Sequence, residues 1–156
     1  MTDPRPTDWP SIDCAVRNLA ARYCDAVLRA DAERFASCWA PDARWVVPGG
    51  DTIEGRDRIT ALFVKLRRPF ALCVQELLSG VVEPAGEGSG LAAVATWQIR
   101  EVQRRDDEST NCVLGVYHDE VREDDDGVLR FARRRFDVVY RGPLDLSGTV
   151  WPPPTA

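Results

Sequence analysis

Two hydrophobic periods divide the chain near residue 69. Before it, apolar positions recur at helical spacing. Ile12, Val16, Leu19, Ala20, Tyr23, Val27 and Ala30 lie on one stripe, with Arg17, Asn18, Arg22, Asp25 and Arg29 opposite, and Ser11 can cap the helix this predicts. Asp31 interrupts the stripe and reads as the cap of a second, short helix, Ala32 to Trp39, stopped by Pro41. Trp45-Val46-Val47 predicts a short strand closed by Pro48-Gly49-Gly50. A third helix, Arg56 to Leu66, would turn Ile59, Leu62, Phe63 and Leu66 inward before Pro69 ends it.

Beyond Pro69 the period becomes two. Phe70, Leu72, Val74, Glu76, Leu78, Gly80 and Val82 share one face of a strand, with Glu76 a lone carboxylate in that row. After a glycine-rich turn at 86, 88 and 90, a second strand (91–104) alternates Leu91, Ala93, Ala95, Trp97 and Ile99 against Thr96, Gln98 and Arg100. Residues 111–141 read as a hairpin around Asp124-Asp125-Asp126-Gly127. A turn centred on Asp126-Gly127 puts Asp119 opposite Arg134 and Tyr117 opposite Phe136. A slip of one residue instead puts His118 opposite Arg134.

Three helices, one interrupting strand and four long antiparallel strands make an α+β domain over residues 12–141. The helices would pack on a strongly curved, mostly antiparallel sheet and leave a cone-shaped pocket for a small ligand at its open end. Residues 1–11 read as a flexible N-terminal segment, and 142–156 as a Pro-rich C-terminal tail.

Composition narrows the function classes. A net charge of −5 argues against nucleic acid, and no apolar run approaches a membrane span, so the cytoplasm is the expected location. Five scattered cysteines and one histidine form no ligand cluster, so neither a metal nor another cofactor is expected.

Several ordered stretches resemble the SnoaL-like family of the nuclear transport factor 2-like superfamily. They are Leu19–Tyr23 with Ala26 and Asp31, the run Phe35–Trp45, and Gly55 before the third helix. Glu76–Gly80, Gly115–Glu120 and Asp126–Arg134 continue the series. The resemblance implies a cone-shaped α+β barrel. It extends to hexachlorocyclohexane dehydrochlorinase, scytalone dehydratase and bile-acid dehydratase, cofactor-free lyases that remove a proton inside the cone. Carried over, the dehydrochlorinase aspartate falls on Asp31 and its arginine on Arg134. Its histidine falls on Glu76 or Gln75 according to the alignment, and its helix-1 lysine on Ala26. The resemblance also implies a homodimer, with a trimer known among relatives.

The candidate catalytic residues are therefore Glu76, Asp119, Arg134 and Asp31. A carboxylate among Leu72, Val74 and Leu78 would have a raised pKa, which suits proton transfer. Arg134 would bind an oxyanion or departing group, with Asp119 carrying a proton or orienting it; the alternative is a buried pair that fixes the sheet. Tyr23, Trp45, Trp97, Tyr117 and Phe136 are candidates for contact with the substrate, and His118 is expected on the outer face. Two functions fit. One is a lyase or isomerase acting without a cofactor on a small apolar oxygenated molecule; the other is a non-catalytic ligand-binding protein or a supporting subunit.

Overall fold

The computed structural model describes residues 8–145 and 149. Helix α1 runs Trp9–Arg29, α2 Ala32–Ser37 and α3 Arg56–Arg67. The strands are β1 Trp39–Val46, β2 Thr52–Glu54, β3 Phe70–Pro84, β4 Ala93–Arg105, β5 Thr110–Glu123 and β6 Leu129–Gly142. They form one sheet in the order β2-β1-β6-β5-β4-β3, antiparallel except for β1 beside β6. The helices pack on this sheet, which stays open at the β2 and β3 edges and is not a closed barrel.

The first helix begins two residues before Ser11, because Pro10 suits the first turn and Trp9 is buried in the core. Residues 9–11 are thus part of the folded unit; residues 1–7 and most of the tail fall outside the described residues. Ala30 ends α1 in a left-handed conformation, and Asp31 then caps α2, its carboxylate accepting from the Arg34 N–H at 2.9 Å. Asp31→Ala is expected to cost about 0.5–2 kcal/mol in urea unfolding, with ligand binding in the cavity unchanged.

The expected Trp45–Val47 strand is longer and has a partner strand. Trp39 leaves α2 to pair in parallel with Phe131, the register shifts across Pro41, and β1 resumes at Arg44. A proline can be accommodated where the ladder is already broken.

Tyr23, Phe35, Trp39, Phe63 and Phe131 form the aromatic centre of the core, with Phe35 stacked on Phe63 at 3.9 Å. Arg67 ties this layer together, donating to the carbonyls of Val27 (2.9 Å), Leu28 (3.2 Å) and Phe70. It thereby satisfies the Leu28 carbonyl at the end of α1 and adds a second donor to the Val27 carbonyl, which the Ala30 N–H already reaches.

Irregularities in the ladders decide which side chains reach the interior. In β3 the pairing with β4 shifts between Phe70 and Leu72 and between Leu77 and Ser79, leaving Ala71 and Leu78 as extra residues. Each extra residue reverses the facing of those beyond it. Cys73, Gln75 and Leu77 consequently point toward the helices, then Gly80 and Val82, instead of the single row through Glu76. Close approach explains two glycines. A β-carbon on Gly80 would lie 2.0 Å from Trp97 Cε3, and one on Gly115 2.3 Å from Phe136 Cε2.

The hairpin pairs Asp119 with Arg134 and Tyr117 with Phe136, as the alternation predicts. The route to that register differs from the expectation. Near the turn Glu123 pairs with Leu129, one residue out of step, and the extra residue Ala132 restores the register. The same bulge turns Phe131 inward in place of Ala132.

Candidate functional site

A cavity of about 440 Å³ opens between α1, α3 and the inner face of the sheet. Its walls are mainly apolar, from Val27, Trp45, Phe63, Phe70, Tyr117 and Phe136, and Tyr23 lies at its inner end. A wider, shallower depression of about 830 Å³ beside α1 and the β5–β6 turn is a poorer candidate. It is open to solvent, and Asp25, the one carboxylate among its described lining residues, is engaged in half-exposed ion pairs with Arg29 and Arg34.

Among the described residues the only carboxylate that lines the cavity is Glu101, on β4. Gln75 Nε2 donates to one of its oxygens and Gln103 Nε2 to the other, while Asn111 Nδ2 donates to Gln103 Oε1 at 3.1 Å and so orients that amide. Gln75 Nε2 also lies 3.0 Å from the Tyr117 hydroxyl oxygen. Burial pushes the Glu101 pKa above the usual carboxylate range. The two amides and the charges of Arg141 and Arg67 oppose that rise without cancelling it. Among the described residues no ion pair engages its carboxylate, whose charge is balanced by amides and more distant cations. Burial likewise raises the pKa of the Tyr117 hydroxyl, which stays protonated.

Glu101 continues the inward row Ala93, Ala95, Trp97, Ile99 by one further step. That alternation was the signal for it, and attention to apolar side chains alone passed over it.

The residues expected to be catalytic do not converge. Glu76 lies on the other face of β3, its side chain 38 % exposed and 2.5 Å from Arg100 Nε. Its pKa is lowered, first by the Arg100 hydrogen bond, the reverse of the expected rise. Gln75, the other position matched to the family's histidine, is the one that faces the cavity. Glu76→Gln is expected to leave both stability and ligand binding at the wild-type level in calorimetry, because an exposed pair contributes little. Asp31 is spent on its helix cap.

Asp119 and Arg134 form a closed unit behind the cavity. Arg134 Nε and Nη2 donate to the two Asp119 oxygens at 2.7 Å each, and Trp97 Nε1 donates to Asp119 Oδ2 at 2.8 Å. The guanidinium is 1 % exposed and lies 3.9–4.2 Å from the centres of the Phe131, Tyr117 and Tyr23 rings. Burial alone would lower the Arg134 pKa, but the Asp119 carboxylate outweighs it and holds the charge. Of the expected contact residues, Tyr23, Trp45, Tyr117 and Phe136 line the cavity, whereas Trp97 is committed to Asp119 and Gly80. His118 faces outward, 3.2 Å from Asp137.

The SnoaL-like domain profile matches residues 13–135. The chain belongs to the SnoaL-like family. No curated protein matches it. Solved structures extend the relationship at low identity. Hexachlorocyclohexane dehydrochlorinase LinA-type3 from Novosphingobium barchaimii LL02 is 21% identical with a TM-score of 0.77, over 94% of this chain and 98% of that one. A scytalone dehydratase-like protein of Novosphingobium aromaticivorans DSM 12444 is 17% identical with a TM-score of 0.78, over 90% and 93%. A nuclear transport factor 2-like superfamily protein from Salmonella enterica is 16% identical with a TM-score of 0.73, over 88% and 95%. At these identities the likeness is one of fold. Among the described residues no helix is long and apolar enough to cross a membrane. Nor do three or more His, Cys, Asp or Glu side chains of the described residues gather where they could hold a metal ion.

Proposed function

We propose that this SnoaL-like protein is a cofactor-independent lyase or isomerase, with Glu101 moving a proton on a small, largely apolar, oxygenated molecule in the cavity. The observation that carries the reading is a carboxylate of raised pKa, held by two amides in an apolar chamber. This role passes to Glu101 from Glu76, Asp119 and Asp31, none of which lines that chamber.

Glu101 would take a proton from a carbon beside an electron-withdrawing group. In a dehydration, the C–H electron pair becomes the new double bond as hydroxide leaves, and the proton on Glu101 is returned to form water. In a double-bond shift, the same proton is delivered to a different carbon. Gln75 and Gln103 keep the carboxylate aimed, and the Tyr117 hydroxyl can donate to a substrate oxygen. The dehydrochlorinase and dehydratase names among the fold neighbours support a chemistry of this class.

The test is native mass spectrometry of wild type and Glu101→Gln exposed to extracts of the host. A small molecule held unchanged by the variant and converted by wild type supports proton transfer. A ligand held equally and unconverted by both makes the protein a binding protein, and a co-purifying protein in its place makes it a supporting subunit. The exposed Val81, Leu114, Val139 and Tyr140 on the strands support a homodimer formed through the sheet, which sedimentation velocity would detect.

A further inference from the structure

The cavity is cationic in a chain whose net charge is −5. Besides Glu101, its charged lining residues are Lys65, Arg67, Arg105 and Arg141. Arg67 has its donors committed to backbone carbonyls. The other three come from separate elements: the last turn of α3, the end of β4 and the end of β6. All three are exposed while lining the cavity, which puts them at its opening. Among the described residues no carboxylate is hydrogen-bonded or ion-paired to any of them. Elsewhere on this surface most arginines are paired, as in Arg100–Glu76, Arg122–Asp42 and Arg130–Asp126. Arg105 feels the charge of Asp107 across the β4–β5 turn without bonding to it, and its guanidinium rests 4.8 Å from the centre of the Phe70 ring. That cation–π contact holds the group beside the cavity while its N–H groups can still donate to a ligand.

We infer that the substrate is an amphiphilic organic anion, with an apolar body against Phe63, Phe70 and Phe136 and a carboxylate or phosphate held at the opening by Lys65, Arg105 and Arg141. This rests on the ligand cavity proposed above and names the class of molecule that fills it. The cations bind one end, which leaves a carbon of the apolar body to meet Glu101 deeper in. They also offset the repulsion between an anionic substrate and the Glu101 carboxylate. An uncharged hydrocarbon would give these exposed cations no partner, whereas an organic anion uses both the apolar walls and the charged opening.

Calorimetric titration of the full chain with 2-naphthoate, 2-naphthyl phosphate and the neutral isostere 2-naphthalenemethanol tests this. At least one anion is expected to bind about tenfold or more tightly than the alcohol, as charge-assisted hydrogen bonds predict. The better of the two shows which anionic group the opening takes. The preference should shrink as salt rises from about 20 to 200 mM. It should largely vanish in the Lys65→Gln/Arg105→Gln/Arg141→Gln variant, and survive in Arg58→Gln/Arg68→Gln, which removes two exposed cations of the α3 region that do not line the cavity.

Equal affinity for the alcohol and both anions overturns the inference, as does a preference lost to the same extent in both multiple variants. Failure of all three probes to bind overturns it together with the cavity reading. Glu101→Gln separates this inference from the proposed chemistry, because the anion preference should persist in that variant. If wild type and Glu101→Gln turn over alike while the preference holds, the proton-transfer role falls and the anion site stands.

Discussion

Asp119→Ala is expected to destabilise the domain by about 3–5 kcal/mol, the cost of leaving a buried charge without its partner. Arg134 is 1 % exposed and gives two 2.7 Å hydrogen bonds to Asp119, the one fully buried acid among the described residues. Its Nη1 finds no hydrogen-bond partner among the described residues, so removing the carboxylate would leave the whole guanidinium unsatisfied among Tyr23, Tyr117 and Phe131. Trp97 Nε1 would lose its acceptor as well. Against an ordinary stability of about 5–15 kcal/mol, such a loss can leave the variant largely unfolded at 37 °C. The diagnostic comparison is with Asp119→Leu/Arg134→Met, which removes both charges and should recover much of the loss. Urea unfolding of the singles and the double gives the coupling directly. Additive losses would show that the pair is not the unit described.

Glu101→Gln is expected to reduce turnover by about 10²–10⁴-fold, the usual contribution of a positioned proton-transfer group. The amide is nearly isosteric and keeps the apolar walls intact, so ligand affinity should fall much less than rate. The variant also has a stability signature. The Glu101 pKa is raised in the folded protein, first by burial, so the folded state holds its proton more tightly than the unfolded chain. Its favourable contribution is complete below the unfolded pKa of a glutamate and is lost as pH rises through the raised folded value. The wild type should therefore lose stability relative to Glu101→Gln across that window, from weakly acidic pH upward. Thermal unfolding of both proteins over a pH series checks this. Curves that stay parallel throughout would show that Glu101 titrates normally and would remove the electrostatic basis of its proposed role.

Both predictions depend on facings that the strand patterns revealed unequally. The long strands and the three helices are all visible in the hydrophobic spacing, and the Asp119–Arg134 pairing is visible in the hairpin alternation. That pairing emerged although the turn is one residue out of step, because the bulge at Ala132 cancels the offset. At Glu76 there was no such cancellation. The register shifts around Ala71 and Leu78 put Gln75 in the cavity and Glu76 on the outside, paired with Arg100.

Spacing of apolar and polar residues by itself determined the α+β order, the three helices, the four long strands and most of the core, though not β2 or the start of β1. The reason is that burying one face of a helix or strand demands a period visible along the chain. Only the tertiary structure decided which carboxylate is the candidate for chemistry. A bulge adds one residue to one strand of a ladder, and its position depends on how the neighbouring strand and the helices above it pack, which alternation along a single strand does not record. The cationic opening was equally hidden, since Lys65, Arg105 and Arg141 are far apart in the chain and meet only when α3, β4 and β6 surround the same cavity.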